Sequence, residues 1–137
     1  MKVDQINGFL AEAFPYADFT VESVGNKRAV IRQPISAKHL RPGGTVSGPT
    51  MMMVVDVALY TAILGELGKV EMAVTTNLNI NFLRKPVADR DIIGECRLHK
   101  VGRTLVVGEV SIFSDGLEEP VAHAVGTYAL PSGDSAG

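Results

Sequence analysis

The sequence predicts an α+β fold in which one curved antiparallel sheet wraps a long central helix. Three patterns carry this expectation. From Gly48 to Leu67 the spacing is helical, and between Met51 and Leu64 only Asp56 and the phenol of Tyr60 can ionise. A helix that is apolar on all sides must be buried nearly all round. Four strand-like segments follow it, and the last three are joined by connections short enough to force antiparallel neighbours. A minor helix and one hairpin precede it, so the sheet has to curl around the major helix. Covering the side left open calls for a partner subunit.

The elements follow in order. Val3, Ile6, Phe9, Leu10 and Ala13 lie at helical spacing, and Pro15 ends that run. Phe19 to Val24 and Arg28 to Gln33 form two short strands around the turn pair Gly25-Asn26. A loop with two prolines and Gly43-Gly44 leads to Ser47, a good N-cap, with Pro49 in the first helical turn and glycines 65 and 68 as stop signals. In Ala73 to Leu83 the polar Thr75, Asn77, Asn79 and Asn81 alternate with Val74, Thr76, Leu78, Ile80 and Phe82, the period of a strand with one buried face. Strands over Asp91–Val101, Thr104–Ser114 and Glu119–Leu130 complete the set.

Composition limits the function classes. The chain has 137 residues, 13 Lys+Arg against 15 Asp+Glu, a net charge of −2 and 46% hydrophobic residues. That suits a single domain over residues 1–130 with a disordered small-residue tail, 131–137. No basic stripe offers itself to phosphates, so no nucleic acid is expected. The longest apolar run, Met51 to Val55, stops at Asp56, so no membrane span is expected either. The start Met1-Lys2-Val3-Asp4-Gln5 lacks the apolar stretch of a secretory signal, which points to the cytoplasm. One cysteine, Cys96, rules out an internal disulfide and reads as a small buried hydrophobe.

Asp56 is the strongest chemical signal. An aspartate among Met52, Met53, Leu59 and Tyr60 is almost never buried without a partner. A carboxylate that reaches a crevice, or accepts hydrogen bonds from a loop, gives the same pattern as a functional one. The segment Pro42-Gly43-Gly44-Thr45-Val46-Ser47-Gly48-Pro49 lets backbone approach a ligand. The free amides at a helix start also favour developing negative charge, although these glycines equally suit a loop and a cap. An oxyanion donor followed two turns later by a carboxylate fits hydrolysis at a carbonyl. His39, His99 and His123 are too scattered for a metal site and suit surface or cross-strand roles. No cofactor is expected.

The chain resembles the hotdog-fold acyl-CoA thioesterases of the phenylacetic-acid-degradation (PaaI) type. The likeness lies in Thr45-Val46-Ser47-Gly48-Pro49 followed by Asp56, in Thr75 through Pro86, in Val101-Gly102-Arg103-Thr104, and in Val121 through Tyr128. It implies an acyl-CoA thioesterase in which the Gly48 N–H polarises the thioester carbonyl and Asp56 acts as nucleophile or as base for water. It further implies that the long strand pairs with its twin across a two-fold axis, giving a homodimer or homotetramer whose site is shared. Three positions depart from the family pattern: Ser47 stands for the usual histidine, Pro49 for the second glycine, and Arg41 for an Asn or Gln that positions substrate. The expected substrate-binding residues are Arg41, Ser47, Met52, Met53, Tyr60, Asn77, Asn79, Arg84 and Arg103. Arg103 with Arg84-Lys85 forms a candidate cationic cluster for the coenzyme phosphates. The alternatives are a non-catalytic acyl-CoA or small-ligand binding protein, favoured by Ser47, and an acyl-thioester dehydratase or hydratase, for which His39 is the nearest imidazole.

Overall fold

The computed structural model describes residues 1–131, so the expected tail from residue 132 on lies outside the described residues. Helix α1, Val3–Ala13, buries Ile6 and Leu10. Strands β1, Thr20–Gly25, and β2, Arg28–Gln33, form a hairpin. Its loop is Asn26-Lys27 rather than Gly25-Asn26, because Gly25 still pairs with Arg28. Asn26 and Lys27 both take left-handed φ, 53° and 61°, as a tight two-residue hairpin of this hand requires.

Helix α2 runs over Gly48–Leu67, as the sequence indicates. Ser47 caps it, its hydroxyl accepting from the Thr50 N–H at 3.3 Å. Gly68 ends it with φ 77°, a conformation only glycine adopts freely, and donates its N–H to the Leu64 carbonyl. Strands β3 (Val74–Phe82), β4 (Ile92–Val101), β5 (Leu105–Ser114) and β6 (Ala122–Ala129) follow. The six strands form one antiparallel sheet in the order β1-β2-β4-β5-β6-β3, curved about α2 in the hotdog arrangement. Close approach of helix to sheet depends on glycine. Gly108 and Gly126 pair across β5 and β6 directly beneath Leu59, where an added Cβ would fall 2.4 Å from Leu59 Cδ1 at Gly126.

By length and composition α2 could cross a membrane, which the short run Met51–Val55 did not suggest. In the fold it is the core helix, with ten residues from Thr50 to Leu64 buried. One stripe at helical spacing stays partly open: Met52, Met53, Asp56, Val57 and Tyr60.

Strand β3 departs from its expected pattern in two ways. At the sheet edge, where pairing with a twin would need it, neither face is fully buried: Leu78 and Ile80 are only half covered, and Val74 and Phe82 are 55% and 51% exposed. A bulge at Thr76 also breaks the alternation, since Thr75 pairs with Tyr128 and Asn77 with Thr127. Thr75 therefore turns to the helix side with Leu78, while Asn77, Asn79 and Asn81 face away from the helix.

Candidate active site

The bulge decides what surrounds Asp56. Thr75 donates its hydroxyl to Asp56 Oδ1 at 2.6 Å, and the Tyr128 phenol donates to the same oxygen at 2.7 Å. The Tyr128 hydroxyl also lies 3.3 Å from the Asp56 backbone carbonyl. Tyr60, one turn along α2, stacks on Tyr128 with ring centroids 5.9 Å apart and 12° between planes. Burial pushes the Tyr128 phenol pKa up, and its hydrogen bond to Asp56 adds to this, so the group remains a donor. Among the described residues Asp56 Oδ2 accepts no hydrogen bond. One oxygen is fixed and the other is unengaged. Asp56 opens onto a cavity of about 650 Å³ walled by Phe14, Phe19, Met53 and Val57, with Gln33 and His39 behind.

Gly48 stands at the start of the same helix. The first-turn amides of a helix have no intrahelical partner. Here Pro49 has no N–H, and the Thr50 and Met51 amides donate to the Ser47 side chain and carbonyl. Gly48 is left as the one unengaged first-turn N–H among the described residues. It lines a second cavity of about 420 Å³ with Arg41, Met51, Phe82, Arg84 and Lys85. Eight residues separate Gly48 from Asp56, about 12 Å along the axis, so one carbonyl carbon cannot engage both within a chain.

The other expected residues divide between these places. Arg41 and Arg84 join Gly48, with Arg84 also paired to Glu119. Ser47 serves as the cap, and its hydroxyl lies 2.9 Å from that of Thr50. Met53 lines the Asp56 cavity, and Met52 is 43% exposed on the open stripe. Tyr60 props Tyr128 rather than reaching a cavity. Asn77 and Asn79 lie on the sheet face away from α2, so within one chain they are not beside the helix site. Within one chain Arg103 and Arg84-Lys85 do not cluster. Arg103 belongs to the β4–β5 turn beside Leu130 and the Val74 end of β3, whereas Arg84 follows Phe82, about 27 Å away along that strand.

His99 and His123 flank Glu109 across β4, β5 and β6, a cross-strand role, and the His123 hydrogen bond foremost holds the Glu109 carboxyl pKa below its ordinary value. His39 is neither superficial nor cross-strand. It is buried, and its Nδ1 accepts the Ser36 N–H at 2.9 Å. Cys96 is buried, with its thiol pKa pushed up to about 12 chiefly by that burial. Among the described residues no group of three or more His, Cys, Asp or Glu is placed to hold a metal ion. Thr75 and Tyr128 were not singled out from the sequence. No periodicity marks a bulge, and 72 residues separate Tyr128 from Asp56.

Comparison with known proteins gives a consistent picture. The family model described as the thioesterase superfamily matches residues 43–121. A protein of Silicibacter sp. TM1040, described as a candidate thioesterase, is 42% identical, with a TM-score of 0.88 over 96% of this chain and 92% of its own. A candidate esterase of Saccharolobus solfataricus is 29% identical over 129 residues, 94% of this chain and 85% of that protein. A mutant of the phenylacetic acid degradation protein PaaI of Thermus thermophilus is 21% identical, with a TM-score of 0.74 over 89% of this chain and 98% of its own, a likeness of fold.

Proposed function

The chain belongs to the thioesterase superfamily, and from that premise we propose that it hydrolyses acyl-CoA thioesters to the free acid and CoA. The observation that carries this reading is Asp56, which lines a cavity and has one carboxylate oxygen held by two hydroxyls and the other without a hydrogen-bond partner among the described residues. The Gly48 N–H donates to the thioester oxygen as charge develops there. Asp56 Oδ2 then either attacks the carbonyl carbon, expelling the thiolate and leaving an anhydride that water opens, or takes a proton from the attacking water. The products are the same.

The 12 Å between Gly48 and Asp56 favours a site shared by two chains. Strand β3 is a bare edge, and the stripe from Met52 to Tyr60 is partly open beside it. Pairing β3 with its twin about a two-fold axis sets the Val74 end of one strand against the Phe82 end of the other. Asp56, Tyr128 and Arg103 of one protomer then meet Gly48, Arg41, Arg84 and Lys85 of its partner. The cations separated within one chain gather at one mouth, suited to coenzyme phosphates. Two such dimers would form a homotetramer.

The dehydratase alternative gains no support from His39, whose ring is buried and whose Nδ1 is engaged by the Ser36 N–H.

The experiment is thiol release from a panel of short, long and aromatic acyl-CoAs by the purified protein. Turnover of at least one class is expected. Saturable binding of acyl-CoA without hydrolysis of any would replace this reading with a ligand-binding one.

A further inference from the structure

The loop that delivers Gly48 is a small hairpin of its own. Arg41-Pro42-Gly43-Gly44 makes a tight turn, closed by the Gly44 N–H donating to the Arg41 carbonyl at 3.0 Å. Its third residue, Gly43, has φ 101°, which glycine adopts without strain. Behind the turn the Arg41 N–H donates to the Thr45 carbonyl, Leu40 bridges Val46, and the Ser47 N–H donates to the His39 carbonyl at 2.9 Å. His39 is itself anchored, being buried with its Nδ1 accepting the Ser36 N–H. The buried Thr50 hydroxyl reaches the same His39 carbonyl at 3.4 Å and stands 2.9 Å from Ser47 Oγ. Capping α2 needs only Ser47 Oγ accepting the Thr50 N–H, so this hydroxyl is surplus to the cap. It ties Ser47 to the loop from a second side.

Ser47 and Gly48 share one planar peptide, so holding its carbonyl end also sets the direction of the opposite N–H. That carbonyl accepts the Met51 N–H at 3.2 Å. Pro49 follows with a restricted φ and no N–H of its own to compete. We infer that Thr50 is a positioning residue: its hydroxyl, tied to Ser47 and the His39 carbonyl, aims the Gly48 N–H at the carbonyl oxygen of the bound thioester. Thr50 itself lines neither the cavity at Gly48 nor the one at Asp56, so it acts through the peptide and not on the substrate. The inference rests on the thioesterase reading and adds to it the residue that preorganises the oxyanion donor.

The test compares Thr50→Val, which keeps the shape and loses the hydroxyl, with Thr50→Ser, which keeps the hydroxyl. Both are made in the full-length protein and again in the Gly48→Pro background. In Thr50→Val, kcat on the best acyl-CoA should fall about five- to tenfold with KM unchanged, while Thr50→Ser stays within about twofold of wild type. In Gly48→Pro the Thr50→Val change should cost nothing further, because the amide it aims is gone. A second readout needs no turnover. An acyl-CoA analogue with a methylene in place of sulfur keeps the carbonyl, and its binding should move the Gly48 amide proton resonance downfield, less so in Thr50→Val. An unchanged kcat in Thr50→Val, an equal loss in Thr50→Ser, or the full loss repeated in the Gly48→Pro background overturns the inference and leaves hydrolysis standing. If wild type hydrolyses no thioester, the thioesterase reading falls and the Gly48 resonance decides alone. A shift that weakens in Thr50→Val then upholds the aiming of Gly48, and a shift absent or unaffected overturns it. Should Thr50→Val fail to fold, Thr50→Ala removes the same hydroxyl and is read in the same way.

Discussion

The two halves of helix α2 have little in common. At its start the useful group is backbone: one free N–H at Gly48, an apolar wall of Met51 and Phe82, and the cations Arg41, Arg84 and Lys85 around it. Two turns later the useful group is a side chain, the Asp56 carboxylate, oriented by hydroxyls from β3 and β6 and braced by the stack of Tyr60 on Tyr128. The first place can stabilise an oxyanion and hold an anionic coenzyme but supplies no base. On the proposed reading the second supplies a nucleophile or base, with no free amide beside it, and a single chain thus carries both components of a hydrolase without bringing them together. The exposed edge of β3 is what would join them.

Changes on either side should lower activity by different amounts. Asp56→Asn should reduce hydrolysis of the best thioester at least about a hundredfold with the fold intact, since a general base contributes about 10²–10⁴. Near-wild-type turnover would remove Asp56 from the chemistry. Gly48→Pro deletes the N–H at a position whose preceding residue, Ser47, is already extended with ψ 153°. It should lower kcat by about 2.7–4 kcal/mol in barrier, as losing one oxyanion donor does. An unchanged kcat would move the oxyanion site elsewhere.

Removing a hydroxyl from the clamp is a smaller perturbation. Tyr128→Phe should cost about tenfold in kcat with KM little altered, because a hydrogen bond to a charged group contributes about 1.5–3 kcal/mol and Thr75 still holds Oδ1. A change confined to KM would mean that Tyr128 contacts substrate instead. Smallest is the coenzyme contact. Arg103→Ala should raise KM for a CoA ester roughly three- to tenfold and leave a thioester lacking the nucleotide unaffected. Equal effects on both substrates would detach Arg103 from the coenzyme.

The Gly48 half was far more legible in sequence than the Asp56 half. Ser47, Pro49 and Gly68 act on their immediate neighbours, so the limits of α2, and with them Gly48 at its first turn, could be read locally. Asp56 stood out because a charge in an apolar helix is conspicuous. Its surroundings did not, for two reasons. The bulge at Thr76 reverses the side on which Thr75 lies, and strict alternation assigned Thr75 to the asparagine face instead. Tyr128 arrives from the far end of the chain through sheet pairing, which no local pattern records. His39 fared likewise: its burial is created by the loop folding over Gln33. The cation cluster does not form within one chain, because Arg103 and Arg84-Lys85 lie near opposite ends of one strand.

The most direct measurement is subunit complementation. Asp56→Asn and Gly48→Pro chains, each inactive alone, are mixed, unfolded and refolded together, and thioester hydrolysis is compared with wild-type protein refolded at the same concentration. With a shared site, each hybrid dimer holds one site bearing both changes and one bearing neither, so random pairing restores about a quarter of wild-type activity. If each chain instead carried a complete site of its own, every site in the mixture would bear one lesion, and activity no higher than that of the separate variants would contradict the shared site.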